Sequence, residues 1–175
     1  MEDPEPAHRT LVLVRHAKSS WDSDVDDHDR PLSGRGRRDA VAIGQELTRR
    51  GIRPDLVLCS TAVRTKQTWQ QAVTGGAQAG EVRYQPEIYH AWVPELTSII
   101  RELPDTAATV LVLGHAPGIP DLVEFLAVRD HGSANWARMD EKFPTAALAV
   151  LAVTGPWSEV GRSRATLAAF DVARG

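Results

Sequence analysis

Short apolar runs alternate with longer segments of mixed polarity along this chain. Each run is too brief for an isolated helix, and several are rich in β-branched residues, which favours buried strands. The predicted strands are 10–17, 55–60, 82–86, 108–116, 146–153 and 165–172. The polar stretches 22–31 and 74–81 contain turn-forming residues and are predicted to be loops.

The segments between the runs have the spacing of amphipathic helices. Ser33 can cap a helix that continues to about Arg50, where Gly51 stops it. Its predicted buried face consists of Ala40, Ile43, Gly44 and Leu47. Other helices are predicted to begin near Thr61, to open at Pro94 and to follow the fourth strand. Strands alternating with helices predict an α/β fold, a three-layer α/β/α sandwich whose central sheet is mostly parallel.

The size and composition indicate one globular domain. The 175 residues are 42% hydrophobic and 25% charged, which is ordinary for a folded protein. No internal repeat or interdomain linker interrupts the pattern, so we expect a disordered tail at residues 1–8 and a single domain at 9–175. We expect a monomer.

Charge and cysteine content narrow the function classes. The net charge of −3 disfavours a generic nucleic-acid or membrane-surface binder. No apolar run approaches the roughly 20 residues of a membrane helix, and the acidic start does not resemble a signal peptide. The single cysteine, Cys59, excludes an internal disulfide and fits a reducing compartment. We therefore expect a soluble cytoplasmic protein in which Cys59 packs as a small hydrophobic residue.

Two predicted strands end in a histidine. His16 follows the first strand and is preceded by Arg15, and His115 follows the fourth strand. Because ligands of such sheets bind at the carboxyl ends of the strands, the two imidazoles are expected to share one site. Arg64 lies about one turn into the helix after the second strand. There its guanidinium could reach the same edge, and arginine and helix N-termini both suit phosphate.

Four segments resemble those of the histidine phosphatase superfamily, also called the phosphoglycerate mutase-like family, and in particular its SixA-type phosphohistidine phosphatase branch. They are LVLVRHAKSSW (11–21), DRPLSGRG (29–36), PDLVLCSTAVRTKQT (54–68) and VLVLGHAPGIPDLVEFLA (110–127). The resemblance implies that His16 attacks phosphorus and carries a covalent phosphoryl group. It implies that Arg15, Arg64 and His115 surround that group. It also implies a further contact from Arg30, and no metal or other cofactor.

Some positions leave alternatives open. Many relatives have RHG where this chain has RHA followed by Lys18, which either recruits anionic substrate or is a solvated surface residue. Ser19 either donates a hydrogen bond to phosphate or caps the following turn. For the general acid that protonates the leaving group, the resemblance points to Glu87, with His90 and Glu95 as alternatives. Glu95 would also suit the start of a helix.

The acidic and aromatic residues outside these motifs carry weaker predictions. The loop after Trp21 is rich in aspartate, but it lacks the glycine and glutamate of an EF-hand, so a solvated loop is expected. Trp21 and Trp92 are expected either at the mouth of the pocket or packed nearby, and Trp69 in the core. Trp136 and Trp157 are predicted to lie in loops. His8, His28 and His131 have no motif support.

Three hypotheses for the whole protein follow. The first is a metal-independent phosphatase acting on a phosphorylated protein, through phosphohistidine, or on a small phosphorylated molecule. Residues 86–108 leave little room for the insertions that enclose the pocket of a mutase, so mutase activity is disfavoured. The second is a non-catalytic phosphate-binding adaptor domain. The third is a metallohydrolase that uses the histidines and the acidic loop.

Overall fold

The computed structural model describes residues 7–22 and 24–175. Its strands are β1 (His8–Arg15), β2 (Leu56–Ser60), β3 (Glu81–Gln85), β4 (Thr109–Gly114), β5 (Ala147–Thr154) and β6 (Ala165–Val172). Its helices are α1 (Gly34–Arg49), α2 (Val63–Thr74), α3 (Val93–Arg101), α4 (Gly118–Leu126) and α5 (Ala134–Glu141). Short 3-10 turns cover Asp27–Asp29, Pro86–Ile88 and Trp157–Glu159.

The six strands form one mixed sheet in the order β3-β2-β4-β1-β5-β6. The first four strands along the chain are parallel to one another, whereas β5 and β6 are antiparallel to their neighbours. In the central pair, Thr10 of β1 lies beside Thr109 of β4 and Arg15 lies beside Gly114. The next residues along these strands are His16 and His115, so the register delivers both imidazoles to the same edge.

The alternation of side chains along β1 divides the core into two layers. Leu11 and Leu13 belong to the cluster covered by α3, α4 and α5, and Val12 and Val14 belong to the cluster covered by α1 and α2. All four side chains are buried. Because both faces of the sheet are covered, its central strands are apolar throughout. The predicted α/β/α sandwich is confirmed.

The helix predicted from its cap is also confirmed. The Ser33 hydroxyl accepts a hydrogen bond from the Gly36 amide at 3.0 Å and so satisfies one free N–H of the first turn. Gly51 has a φ of +66°, a conformation that ends the helix and suits glycine. The predicted apolar face of α1 is buried. Among the described residues, no helix has both the length and the apolar character needed to cross a bilayer.

Two glycines allow backbone segments to meet at the carboxyl edge of the sheet. A Cβ at Gly36 would lie 1.9 Å from the Lys18 carbonyl oxygen, and one at Gly118 would lie 2.3 Å from the Ala91 carbonyl oxygen. Both distances are far below van der Waals contact. Glycine therefore brings α1 against the segment after His16, and α4 against the segment before α3.

Several predictions were wrong or lie outside the described residues. Helix α5 was missed, and its Trp136 is buried rather than part of a loop. Trp157 is also buried, in a 3-10 turn, and its indole donates to the Ala107 carbonyl at 2.7 Å. Of the predicted tail, residues 1–6 are outside the described part of the chain, and His8 already belongs to β1. Trp69 packs in the core as predicted.

Candidate active site

The two histidines at the strand ends lie together. The ring centroids of His16 and His115 are 5.2 Å apart. The side chain of Arg64 joins them from the start of α2, where it is the second helical residue and is buried. Three residues separated by 48 and 51 positions along the sequence thus form one cluster at the predicted edge.

The position of His16 fixes its tautomer. Its Nδ1 lies 2.7 Å from the Ala17 carbonyl oxygen, which can only accept a hydrogen bond, so Nδ1 carries the proton. In the neutral ring Nε2 then carries the lone pair. The Arg64 Nε–H donates to this Nε2 at 3.3 Å. The lone pair of His16 therefore points toward the guanidinium that would bind an anion.

The geometry around His115 differs. Its Nε2 lies 2.8 Å from the hydroxyl oxygen of Ser60, the last residue of β2, and either group can donate. Its Nδ1 is buried and has no hydrogen-bond partner among the described residues. The ring borders a pocket of about 350 Å³ that opens at this edge of the sheet. The pocket is lined by Arg64, Tyr89, His90, Ala91, Trp92, His115, Ala116, Pro117 and Gly118.

Burial keeps both imidazoles neutral. Loss of hydration lowers the pKa of His16 to about 3, and the nearby charges of Arg64, Arg15 and Arg30 act in the same direction. Burial also lowers the pKa of His115 to about 2, with further contributions from His16 and Arg64. A neutral imidazole is the form that can act as a nucleophile.

The other two predicted phosphate contacts are placed differently. Arg15 is the last residue of β1, and its Nη1 donates at 2.9 Å to the carbonyl of Phe143, which lies in the loop after α5. Arg30 is buried, and its Nη1 donates to the Ser19 hydroxyl at 2.6 Å. The Ser19 hydroxyl is therefore the acceptor of a hydrogen bond from Arg30 in this structure. The Arg15 guanidinium is hydrogen-bonded to a backbone carbonyl rather than to another member of the cluster.

The structure does not place the predicted general acid in the pocket. Glu87 lies on the 3-10 turn after β3, is exposed, and is not part of the pocket lining. Glu95 accepts a hydrogen bond from the Trp92 amide at 3.0 Å, which is the helix-start role. Of the three candidates, His90 alone is among the residues that line the pocket.

Sequence reasoning missed Asp27 and Tyr89. Asp27 accepts hydrogen bonds from Arg64, Arg30 and the Tyr89 hydroxyl. These donors hold its pKa well below the usual range, the bond from Tyr89 contributing most. Asp27 lies in the aspartate-rich loop that is predicted to be solvated. Its spacing of three residues from Arg30 is the local signal that could have indicated an ion pair. Tyr89 had no such signal, because it meets Asp27 only across 62 residues.

The tryptophans near the motifs lie at the surface. Trp21 is 72% exposed and stacks on Arg30, whose Cζ lies 3.5 Å from the ring centroid. Trp92 is 60% exposed and borders the pocket. His28 has no motif support in the sequence, but its Nε2 lies 2.9 Å from the Thr61 hydroxyl beside the start of α2. Trp92 therefore lies at the rim of the pocket, whereas Trp21 and His28 contact Arg30 and Thr61.

Two remaining groups bear on alternative chemistries. Within residues 7–22 and 24–175, no group of three or more histidine, cysteine, aspartate or glutamate side chains is arranged to hold a metal ion. Cys59 is fully buried in β2, and burial raises the pKa of its thiol to about 12. A thiol in this state is not a nucleophile at neutral pH.

Comparison with known proteins identifies the family of the chain. The family model described as the histidine phosphatase superfamily (branch 1) matches residues 11–118. An uncharacterized protein of Mycobacterium tuberculosis is 39% identical over 162 residues, which cover 92% of this chain and all of that protein. An uncharacterized chloroplastic protein of Arabidopsis thaliana is 36% identical over 130 residues, covering 68% of this chain and 59% of that protein.

Solved structures share the fold across nearly the whole chain. The proposed phosphohistidine phosphatase SixA from Nakamurella multipartitia is 39% identical, has a TM-score of 0.83, and matches 97% of this chain and 99% of that one. The corresponding SixA from Agrobacterium tumefaciens is 30% identical, with a TM-score of 0.75 and coverage of 94% and 98%. The chain belongs to the histidine phosphatase superfamily, in its SixA-type branch, and is a phosphatase of that class.

Proposed function

We propose that this protein is a phosphohistidine phosphatase that transfers the phosphoryl group to Nε2 of His16 and then to water, without a metal ion. The observation that carries the proposal is the state of His16. The Nδ1–H of His16 is committed to the Ala17 carbonyl at 2.7 Å, the pKa of the ring is lowered to about 3, and the lone pair on Nε2 accepts the Arg64 Nε–H at 3.3 Å. This is the arrangement required of a nitrogen nucleophile.

In the first step, the His16 lone pair forms a bond to phosphorus as the bond from phosphorus to the leaving group breaks. The leaving group departs with that electron pair and takes up a proton. Arg64 bonds to the phosphoryl oxygens in place of Nε2 as the new bond forms, and His115 faces them from β4. In the second step, water attacks the phosphorus, the N–P bond breaks, and inorganic phosphate leaves while His16 recovers its lone pair.

The choice of an N–P substrate rests on the pocket lining. Among the described residues that line it, no carboxylate is present to act as a general acid. Asp27, which is next to Arg64, is held in its ionised form by three donors. An alcohol leaving group needs a proton as its bond breaks, whereas the leaving nitrogen of phosphohistidine is basic and can be protonated beforehand.

The choice of a protein-borne substrate rests on access. Between β3 and β4 the chain forms only a 3-10 turn and the nine-residue helix α3. No long insertion therefore covers the pocket from this side, and the rim carries the exposed Trp92. A phosphohistidine projecting from a protein surface can enter such an opening and meet Arg64 and His115, which line the pocket.

The experiment that tests the mechanism is a labelling measurement. The protein is incubated briefly with radiolabelled phosphoramidate, denatured in alkaline detergent, and divided into acid-treated and untreated samples. We expect a label that survives alkali, is lost in acid and is absent from His16→Ala. The matched control is His131→Ala, which removes an exposed histidine that does not line the pocket and should label normally.

Label retained in His16→Ala would refute the nucleophile. Turnover is measured in parallel on phosphoramidate, a phosphohistidine-bearing protein and p-nitrophenyl phosphate. Faster turnover of the phosphoester than of both N–P substrates would overturn the substrate class and favour a phosphomonoesterase. No turnover of any substrate would favour the adaptor domain. Loss of activity after exhaustive chelation would show that the reaction depends on a metal ion.

A further inference from the structure

Asp27 is the point at which the charged side chains of the site converge. Its carboxylate accepts from Arg30 Nε at 3.0 Å, from Arg64 Nη2 at 3.1 Å, and from the Tyr89 hydroxyl. Its backbone carbonyl accepts a further bond from Arg64 Nη1 at 2.7 Å. Arg30 and Arg64 are both buried, whereas the Asp27 side chain is 48% exposed. One partly exposed carboxylate thus connects two buried cations.

The bonds to Arg64 use a particular edge of its guanidinium group. Nη1 and Nη2 form the end of the planar fork, and both bond Asp27. Nε and the second N–H of Nη2 form its side, and there Nε donates to His16 at 3.3 Å. Because the fork is rigid, holding the end determines where the side points. The side edge therefore faces the nucleophile with two parallel donors, as bidentate contact with a phosphoryl group requires.

The partners of Asp27 are themselves held in place. Arg30 Nη1 donates to the Ser19 hydroxyl and to the Ser20 carbonyl, at 2.6 and 3.3 Å. The Tyr89 ring packs edge-on against His115, with centroids 5.5 Å apart. The carboxylate is consequently tied to both sides of the site, to the segment after β1 through Arg30 and to the segment after β3 through Tyr89.

We propose that Asp27 is a positioning residue for phosphoryl transfer, which acts by holding the end of the Arg64 guanidinium so that its side edge meets the phosphoryl group on His16. This inference rests on the proposed function, because it presupposes transfer to His16. Asp27 itself does not touch the substrate.

If Asp27 positions Arg64, its removal should affect kcat and inhibition by inorganic phosphate differently. Removing the carboxylate leaves the positive charges of Arg30 and Arg64 less compensated, so an anion should be attracted at least as strongly as before. The alignment of Arg64 is lost at the same time, and misplacement of such a group by about 1 Å costs about 100-fold in rate. Asp27→Ala is therefore expected to lower kcat for phosphoramidate by about 100-fold, while inhibition by inorganic phosphate is unchanged or tighter.

The matched control is Asp26→Ala. Asp26 lies next to Asp27 in the sequence, so the substitution removes the same charge from the same loop. The Asp26 side chain, however, makes no cap hydrogen bond. Its kcat should stay near that of the unsubstituted protein. Tyr89→Phe removes only the hydroxyl that holds the carboxylate, and is expected to lower kcat by about fivefold. Thermal unfolding midpoints show whether each variant is folded.

A double-mutant cycle shows whether Asp27 acts through Arg64. In an Arg64→Ala background, Asp27→Ala should lower kcat by less than about fivefold, because the group it positions is gone. A full 100-fold loss in that background would overturn the inference. So would an unchanged or higher kcat in Asp27→Ala, weakening of phosphate inhibition by the same factor as kcat, or an equal loss in Asp26→Ala.

These outcomes are distinct from failure of the proposed function, which would appear as the absence of an alkali-stable, acid-labile label in the unsubstituted protein.

Asp27→Asn provides a second folded variant if Asp27→Ala unfolds. It keeps an acceptor oxygen but loses the charge, so its kcat should fall between those of Asp27→Ala and the unsubstituted protein. A kcat outside that interval would contradict the positioning role.

Discussion

His16 and His115 occupy matching places directly after the neighbouring parallel strands β1 and β4, yet their surroundings differ. The His16 ring is fixed by a backbone carbonyl, which can only accept, and its Nε2 is left with a lone pair. The His115 ring is bonded to a hydroxyl, which can either donate or accept. A backbone anchor gives one permanent tautomer, whereas a hydroxyl allows the ring to change its protonation when an anion arrives. This difference supports the proposed roles of the same residue type at equivalent strand ends, His16 as the nucleophile and His115 as a group that stabilises charge.

Replacing His16 should produce the largest effect. In His16→Ala, kcat/KM for phosphoramidate is expected to fall by on the order of 10⁴-fold or more, since the covalent route is lost. Steady-state kinetics measures this loss. Residual activity within tenfold of the unsubstituted protein would show that His16 is not the nucleophile.

Replacing His115 should produce a smaller loss of a different kind. His115→Ala removes one group facing the phosphoryl oxygens, for which about 10²- to 10³-fold in kcat is expected. The His16 nucleophile remains, so the acid-labile label should still form, only more slowly. Rapid-quench labelling provides the rate. Complete absence of label in a folded His115→Ala protein would assign His115 a part in forming the covalent bond.

Removing the partner of His115 tests the importance of its hydroxyl anchor. Ser60 is fully buried, and Ser60→Ala leaves Nε2 of His115 without its hydrogen bond. We expect kcat/KM to fall by about tenfold and the free energy of unfolding to fall by about 1–2 kcal/mol. Kinetics and urea denaturation measure the two effects. Activity equal to that of the unsubstituted protein would show that the His115 ring is oriented by packing alone.

The lowered pKa values predict how stability depends on pH. The pKa of His16 falls from 6.5 to about 3 and that of His115 to about 2, so between these values and 6.5 the unfolded chain binds more protons than the folded one. The free energy of unfolding should therefore decrease as the pH is lowered from 7 to 4. His16→Asn should make this decrease shallower, because one of the two groups is absent. An identical slope in both proteins, measured by urea denaturation, would contradict the lowered pKa of His16.

Replacing the carboxylate outside the pocket should have the smallest effect. Glu87 is exposed and does not line the pocket, so Glu87→Gln should change kcat by less than about twofold on N–P substrates, as for other surface substitutions. A loss above tenfold that is confined to phosphoesters would make Glu87 the proton donor for that class. Glu87 would then be a third catalytic group beside His16 and His115.

Most of the architecture was predictable because it depends on local patterns. Apolar runs indicated the strands, and the Ser33 cap with Gly51 marked the ends of α1. Helix α5 was missed because it is only eight residues long and just two of its side chains, Trp136 and Met139, are buried. Two buried positions are too few for a helical periodicity to be recognised.

The sequence by itself determined which chemistry is present: two histidines at strand ends, an arginine at a helix start, and motifs of a known family. Only the tertiary structure decided which hydrogen bonds hold these groups. The bond that fixes His16 is made with the adjacent Ala17, whereas the hydrogen bond between His115 and Ser60 and the bonds from Arg64 to Asp27 join residues that are 55 and 37 positions apart. Contacts of this kind depend on the register of the sheet and the path of loops, neither of which has a periodic signature in the sequence.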